Sequence, residues 1–229
     1  PAYANDVEAS VNFGLRYFAI NPEFFIIKVP ITPAGYIVAR RLAAAGVPIN
    51  YTLGFSVRQN VLAALFSKPA YVNVFLGRIG VLVSDNKIGE GTNVGEKVTL
   101  ATVEALRRLR AAGKSPTQLI AASMRNGDQV ALLAGVDVHT IPPSAAKQFL
   151  ESPTPCSEVT RHESTELMVN VEDVRVSYLW QLCPKFMEFA EKAAELGDEV
   201  ASGEQLVALA EEYGVDMFTP FTTEQRATI

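Results

Sequence analysis

Lys28 is the residue of this sequence whose setting points most clearly to chemistry. It interrupts a short apolar run, with Phe24-Phe25-Ile26-Ile27 before it and Val29-Pro30 after it. Such a run between turn signals predicts a parallel strand covered on both faces. Burial would disfavour the charged ammonium form, and a neutral lysine amine is a nucleophile. The alternative is a strand-end lysine whose head group reaches water along its flexible stem.

Basic residues follow two later strands at the corresponding place. Arg78 and Arg125 each lie just beyond a predicted strand, and Ser123 stands at the end of the second one. Two guanidinium groups with a hydroxyl donor can clamp a phosphate. Each arginine taken alone is better explained as an ordinary surface residue.

Three further polar side chains lie inside predicted strands, namely Asn50, Thr52 and Asn73. In a site they would orient substrate hydroxyls or a catalytic water. They could equally form hydrogen bonds within the fold, since buried polar groups are almost always paired.

Other kinds of site are poorly supported. The histidines, His139 and His162, are too few for a metal cluster or a Ser/His/Asp triad, and His139 is better explained as a structural residue. Cys156 and Cys183 are too far apart in sequence for a redox motif or a disulfide framework. The glycines of 89–95 miss the dinucleotide-binding spacing and follow a loop instead of a strand.

The charge is spread unevenly along the 229 residues, whose formal net charge is −5. Residues 1–151 carry +5 and residues 152–229 carry −10. The overall balance argues against a nucleic-acid partner, whereas the first stretch suits a small anionic ligand. No apolar run approaches the roughly 20 residues of a membrane span, so we expect no membrane partner, and the few cysteines favour a cytoplasmic location.

The elements that must position these residues alternate between strands and helices. Helices are predicted over 7–19, 33–45, 57–67, 93–112, 127–134 and 143–151, with a capping box at Asn93 and Glu96 and a loop over 80–92. Strands are predicted over 24–30, 49–54, 71–77, 118–123 and 137–141. This alternation predicts a parallel α/β sheet.

Two parallel architectures fit the pattern, an open doubly wound sheet and a (β/α)8 barrel. Polar residues follow several different strands, which favours the barrel, because an open sheet gathers its ligand groups at one switch point. Five strands are visible where a complete barrel has eight.

The last third of the chain differs in character. Residues 152–170 are polar and rich in turn residues, and helices are predicted near 183–197 and 203–213, with Ser202 as the N-cap of the second. We therefore divide the chain into β/α units over 1–151 and an acidic connector with a helical extension over 152–229.

Four segments together resemble the transaldolase family in order and spacing, over roughly residues 1–151. The segments are Phe25-Ile26-Ile27-Lys28-Val29-Pro30, Asn50-Tyr51-Thr52-Leu53-Gly54-Phe55-Ser56, Phe75-Leu76-Gly77-Arg78-Ile79 and Ala122-Ser123-Met124-Arg125-Asn126. The resemblance implies a Schiff-base (β/α)8 barrel with the lysine on its fourth strand, so that this chain carries strands four to eight. It implies a reaction that needs no metal and no organic cofactor.

The resemblance also implies a role for each residue. Lys28 would form the imine with a ketose phosphate, Asn50 would order the three-carbon unit, and Thr52 would hold the catalytic water. The other substrate-binding residues would be Asn73, Phe75, Arg78, Ser123 and Arg125, the last three at the phosphate. Asn73-Val74 stands where the family often has Ser-Pro. The aspartate, asparagine and glutamate of the family's first three strands have no counterparts here, so we expect about 90 further residues upstream.

The activity implied is transaldolase, the transfer of dihydroxyacetone between ketose and aldose phosphates in the pentose phosphate pathway. One alternative is a fructose-6-phosphate aldolase, but such relatives tend to carry Tyr where Phe75 stands. The other is a non-catalytic barrel protein that binds sugar phosphates. The expected partners are sugar-phosphate substrates, with a homodimer as an open option.

Overall fold

The computed structural model describes residues 5–218 and shows strands alternating with helices. The helices are α1 (Val7–Ile20), α2 (Pro33–Ala44), α3 (Val57–Phe66), α4 (Leu76–Asp85), α5 (Val94–Ala111), α6 (Gly127–Leu132), α7 (Pro143–Leu150), α8 (Pro184–Leu196) and α9 (Gly203–Glu212). The strands are β1 (Ile27–Pro30), β2 (Ile49–Thr52), β3 (Tyr71–Phe75), β4 (Gln118–Ala122) and β5 (Val138–His139).

The five strands form one sheet in the order β1-β2-β3-β4-β5, and every neighbouring pair is parallel. Strand order therefore follows chain order, whereas a doubly wound sheet reverses direction at a switch point. The predicted parallel α/β class is confirmed, and the arrangement is that of an arc of a (β/α)8 barrel.

The two faces of the sheet differ in burial. The helices α2, α3 and α5 pack against one face, which is formed by Val29, Ile49, Tyr51, Val72, Val74, Leu119 and Ala121, all at most 4% exposed. On the opposite face Lys28 is exposed, and its partner Asn50 is half-buried. The prediction that the first strand is covered on both faces is therefore wrong. The strand begins at Ile27, and Phe24 before it is 75% exposed.

Helix α4 replaces the first six residues of the loop predicted over 80–92. Its buried side chains Leu76, Ile79 and Val83 have the spacing of a helix face. Gly80 conceals this helix in the sequence because glycine disfavours helices. Its role is spatial, since a Cβ on Gly80 would lie 2.9 Å from the Gly91 carbonyl oxygen.

The predicted capping box of α5 does not form. Asn93 adopts a left-handed conformation (φ 62°), and its amide donates a hydrogen bond to the Met168 carbonyl instead. Glu96 accepts a hydrogen bond from Gln129 on α6. Residues distant in sequence thus occupy both members of the predicted box.

The C-terminal part covers the helices, because α8 packs on α3 and α9 packs on α2. Ser202 caps α9 through a capping box, as predicted. Arg58 on α3 donates to the Gln181 carbonyl (3.0 Å) and lies 4.4 Å from the Tyr178 ring centroid, which fixes the segment before α8.

The division of the chain at residue 151 stays a prediction, and the outer ends of the two parts, 1–4 and 219–229, lie outside the described residues. No helix within 5–218 is long and apolar enough to cross a membrane.

A partly buried ion pair fixes β5 beside β4. Both guanidinium nitrogens Nη1 and Nη2 of Arg110 contact the Asp137 carboxylate, at 3.1 and 2.9 Å, and the Leu119 amide donates to the same carboxylate at 3.0 Å. The Asp137 side chain thus takes the place of a backbone partner, and β5 is two residues long instead of the five predicted.

We expect Asp137→Asn to lower the free energy of unfolding by about 2 kcal/mol, because charge-assisted hydrogen bonds to a partly buried carboxylate are lost. Urea unfolding measures the change. Asp85→Asn, at the exposed end of α4, serves as the control and should change stability by less than about 0.5 kcal/mol. Equal losses in the two variants would contradict a structural role for Asp137.

Candidate active site

The carboxyl ends of β1 and β2 bring Lys28, Asn50 and Thr52 to one face of the sheet. Lys28 pairs with Asn50, and Pro30 pairs with Thr52, in the register of the two strands. Because neighbouring strands lie about 4.8 Å apart, the Lys28 and Asn50 side chains emerge side by side. The predicted grouping of these three residues is what the backbone produces.

Lys28 and Asn50 both have unused polar groups. Within residues 5–218 the Lys28 side chain forms no ion pair or hydrogen bond. The Asn50 Oδ1 atom is buried and, among the described residues, has no hydrogen-bond partner. Leaving a buried acceptor unpaired costs about 1–3 kcal/mol, so this oxygen is suited to a donor from a ligand. Lys28 is exposed, so the burial predicted for its ammonium group is not observed.

The turn after β2 begins directly beyond Thr52, the last residue of the strand, and is fixed by a glutamine. Leu53 has φ 64°, a conformation that side chains rarely adopt. The Gln59 Oε1 atom accepts a hydrogen bond from the Phe55 amide at 2.9 Å, and the Ser56 hydroxyl caps α3 by accepting from the Gln59 amide. The surrounding bonds thus hold a strained turn directly beyond Thr52.

The turn after β4 is built in the same way. Ser123 has φ 65°, the Gln129 Oε1 atom accepts from the Arg125 amide at 2.6 Å, and Asn126 caps α6. The Gln129 Nε2 atom donates to Glu96 at 2.6 Å, which fixes the orientation of the amide. The backbone that presents Ser123 and Arg125 is therefore rigidly held.

The start of α4 lies against this second turn. A Cβ on Gly77 would lie 2.2 Å from the Ser123 carbonyl oxygen and 2.8 Å from the Arg125 Nε atom, so only glycine fits there. Phe75 is the N-cap residue of α4 and supplies no side-chain cap, in contrast to the capped α2, α3 and α6. The first amide groups of α4 are thus not occupied by a cap and, with Arg78 in the first turn, favour an anion.

The start of α4, with Arg78 in its first turn, therefore lies against the turn that carries Ser123 and Arg125. Within residues 5–218 neither guanidinium group takes part in an ion pair. Both side chains are exposed, so a phosphate would find two unneutralised cations beside a helix N-terminus.

Phe75 and Asn73 are the other two predicted site residues, and both lie in β3. The half-buried Phe75 ring packs against Phe55, with the ring centroids 6.2 Å apart. Asn73 is 3% exposed, and its amide bonds to the backbone of Tyr51 and Gly54. Asn73 thus contacts the neighbouring strand instead of extending into the open face.

Gln59 and Gln129, which hold the two turns, were not among the predicted site residues. A signal for them was present, since each stands three residues after a capping residue, Ser56 or Asn126, as in a capping box. Within residues 5–218, no three His, Cys, Asp or Glu side chains come together as metal ligands would.

His139 in β5 is half-buried, and burial lowers the pKa of its imidazole below the ordinary 6.5, although a hydrogen bond with the Leu133 backbone opposes this. The unfolded chain therefore takes up the proton at higher pH than the folded chain. We expect the free energy of unfolding to fall as the pH drops through about 6.5.

The His139→Gln variant should lose this part of the pH dependence, as measured by urea unfolding across that range. His162→Gln is the control, because its imidazole contacts Glu166 in the connector. If His139→Gln and the unaltered chain follow the same pH curve, burial of the imidazole has no effect on stability.

Comparison with known proteins gives a consistent family. The family model described as transaldolase/fructose-6-phosphate aldolase matches residues 1–197. A probable transaldolase of Thermus thermophilus is 36% identical over 152 residues, which are 66% of this chain and 61% of that protein. A probable transaldolase of Exiguobacterium sibiricum is 32% identical over 160 residues, covering 69% of this chain and 67% of the relative. The match to the Thermus protein thus spans less than two thirds of its length.

Proposed function

The chain belongs to the transaldolase/fructose-6-phosphate aldolase family, and from this premise we propose that Lys28 forms an imine with the keto carbon of a ketose phosphate. The observation that carries the proposal is the pairing of Lys28 with Asn50, whose buried Oδ1 lacks a partner within residues 5–218. An amine and an acceptor side by side fit a carbonyl carbon with a neighbouring hydroxyl.

The reaction proceeds through the lysine itself. The Nζ atom adds to the keto carbon, and water leaves to give a protonated imine. The bond between carbons 3 and 4 of the sugar then breaks as the carbon-4 hydroxyl gives its proton to a base. The electron pair of the broken carbon–carbon bond passes into the imine, so that an aldose phosphate departs and a three-carbon enamine stays on Lys28. Addition of this enamine to a second aldose phosphate, followed by hydrolysis of the imine, completes the transfer.

The remaining residues bind and orient the substrate. Asn50 accepts a hydrogen bond from a hydroxyl of the three-carbon unit, and Thr52, two residues further along β2, holds the water of imine formation and hydrolysis. Arg78, Ser123 and Arg125 bind the phosphate together with the uncapped amides of α4.

Transfer is favoured over simple cleavage at this site. Phe75 presents an apolar ring, which packs on Phe55, where a tyrosine would offer a hydroxyl to the catalytic water. An apolar wall slows release of the three-carbon unit by hydrolysis and leaves it for an acceptor aldose. We place the reaction in the pentose phosphate pathway of the cytoplasm.

An assay with fructose 6-phosphate, with and without erythrose 4-phosphate, tests this function. A transferase releases glyceraldehyde 3-phosphate continuously only when the acceptor is present. Equal release without the acceptor, accompanied by free dihydroxyacetone, would identify a lyase. Binding of the sugar phosphate with no product and no imine would identify a non-catalytic protein.

A further inference from the structure

The Asn73 side chain joins the ends of β2 and β3. Its Nδ2 atom donates to the Tyr51 carbonyl, and its Oδ1 atom accepts from the Gly54 amide at 3.4 Å. Within the described residues the β2–β3 register is a single pair, Asn50 with Tyr71, whereas β1 and β2 share four pairs. An amide side chain thus supplies the connection that backbone pairing supplies elsewhere.

Asn60 on α3 adds a hydrogen bond to Asn73 from the helix-covered face of the sheet. It is fully buried, and its Nδ2 atom donates to the Asn73 carbonyl oxygen at 3.2 Å. Its Oδ1 atom is buried without a partner among residues 5–218. Rotating the amide by half a turn would set this oxygen against the Asn73 carbonyl oxygen, so the orientation of Asn60 is fixed.

Gly54 closes the cluster. A Cβ at this position would lie 2.0 Å from the Asn73 carbonyl oxygen and 3.0 Å from the Asn60 Oδ1 atom. The Gly54 carbonyl also accepts the Phe75 amide at 3.0 Å. Gly54, Asn60 and Asn73 therefore form one packed unit, which we name the amide cluster.

We propose that Asn60 and Asn73 are positioning residues, which hold the end of β2 so that Asn50 and Thr52 face Lys28. This inference rests on the proposed function. The bonds of Asn73 to Tyr51 and Gly54 bracket Thr52 and the strained Leu53 on both sides. Asn73 acts through the backbone of β2 and does not itself touch the substrate.

The arrangement explains why an unpaired acceptor is kept in the core. An apolar side chain at position 60 would remove the unpaired oxygen but would leave the Asn73 carbonyl without its donor. Leu53 in a left-handed conformation costs about 1–3 kcal/mol and persists only where surrounding bonds hold it. Releasing the cluster lets the turn relax, and a displacement of about 1 Å in a site can reduce the rate by about a hundredfold.

Two variants at position 60 test the proposal through the steady-state kinetics with fructose 6-phosphate. Asn60→Ala removes the donor, and we expect kcat to fall at least about tenfold with KM within about twofold, because the phosphate site lies on α4 and the turn after β4. Asn60→Asp keeps the shape and lacks the donor only when ionised. A buried carboxyl favours its protonated form, whose O–H can donate to the Asn73 carbonyl.

The ratio of kcat between Asn60→Asp and the unaltered chain should therefore rise at least about threefold from about pH 8 to about pH 6, whereas the Asn60→Ala ratio stays level. Thr102→Ala is the matched control, since Thr102 is a fully buried polar residue of α5 that bonds within its own helix. It should alter stability and leave kcat unchanged. A level Asn60→Asp ratio, or an equal kcat loss in Thr102→Ala, would overturn the proposal.

Failure of the proposed function is detected separately. If the unaltered chain neither turns over fructose 6-phosphate nor forms an imine, the function is wrong. The amide cluster is then judged by hydrogen exchange of the Phe75 amide, which should be accelerated about tenfold in Asn60→Ala. Unchanged exchange would show that Asn60 does not hold this turn.

Discussion

Replacing Lys28 with alanine should abolish the imine and lower turnover of fructose 6-phosphate by at least about a thousandfold, because the nucleophile is lost. Borohydride reduction in the presence of labelled sugar phosphate measures the imine as a covalent adduct. The fold should survive, since the Lys28 side chain is exposed and forms no ion pair or hydrogen bond within residues 5–218. We expect the free energy of unfolding to change by less than about 0.5 kcal/mol.

Two controls separate the nucleophile from its charge. Lys28→Arg keeps the positive charge and cannot form the imine, so it should be as inactive as Lys28→Ala. Lys147→Ala removes an exposed lysine of α7 and should leave adduct formation unchanged. Persistent adduct in Lys28→Ala would remove Lys28 from the mechanism.

Replacing Arg125 with alanine should weaken binding of phosphorylated sugars by about 1.5–3 kcal/mol, which raises KM roughly 10- to 150-fold. The guanidinium group lies beside Gly77 at the start of α4 and, among the described residues, has no carboxylate partner. Its loss removes charge-assisted bonds to the phosphate. The turn itself should stay intact, because Gln129 holds the Arg125 backbone amide and not its side chain.

The substrate supplies the sharpest control for Arg125. With a ketose that lacks the phosphate, Arg125→Ala and the unaltered chain should have the same kcat/KM. Arg108→Ala, in the exposed last turn of α5, should leave both substrates unaffected. If KM for the phosphorylated sugar does not change in Arg125→Ala, this arginine does not bind the phosphate.

Local patterns were sufficient to predict the sheet. Apolar runs bounded by turns predicted the five strands seen within residues 5–218, and the rule that parallel strands share one carboxyl edge placed Lys28, Asn50 and Thr52 together. Ser202 was predicted as a cap because serine before a helix accepts its free amides. These features depend on residues close in sequence.

Features that depend on distant contacts were missed. Helix α4 contains Gly77 and Gly80 because the Ser123 turn and Gly91 pack directly on it, and this packing overrides their low helix propensity. Asn93 looked like a cap but bonds to Met168, 75 residues away. The exposure of Lys28 depends on what covers the open face of the sheet, which a run of apolar letters does not reveal.

The amide cluster shows the same limit within the site. The sequence marks Asn73 as polar in a strand, and its partners Tyr51 and Asn60 emerge only when β2, α3 and β3 are assembled. A substrate-binding role and a positioning role require the same residue type. The hydrogen bonds of the folded chain favour the second.

The central claim is that Lys28 is the covalent nucleophile. The most direct test is to reduce the chain with borohydride in the presence of fructose 6-phosphate and to map the adduct by mass spectrometry of the peptides. We predict one adduct on the peptide containing Lys28, with the mass of the reduced sugar phosphate or of its three-carbon unit. An adduct on another lysine, or none at all, would contradict the claim.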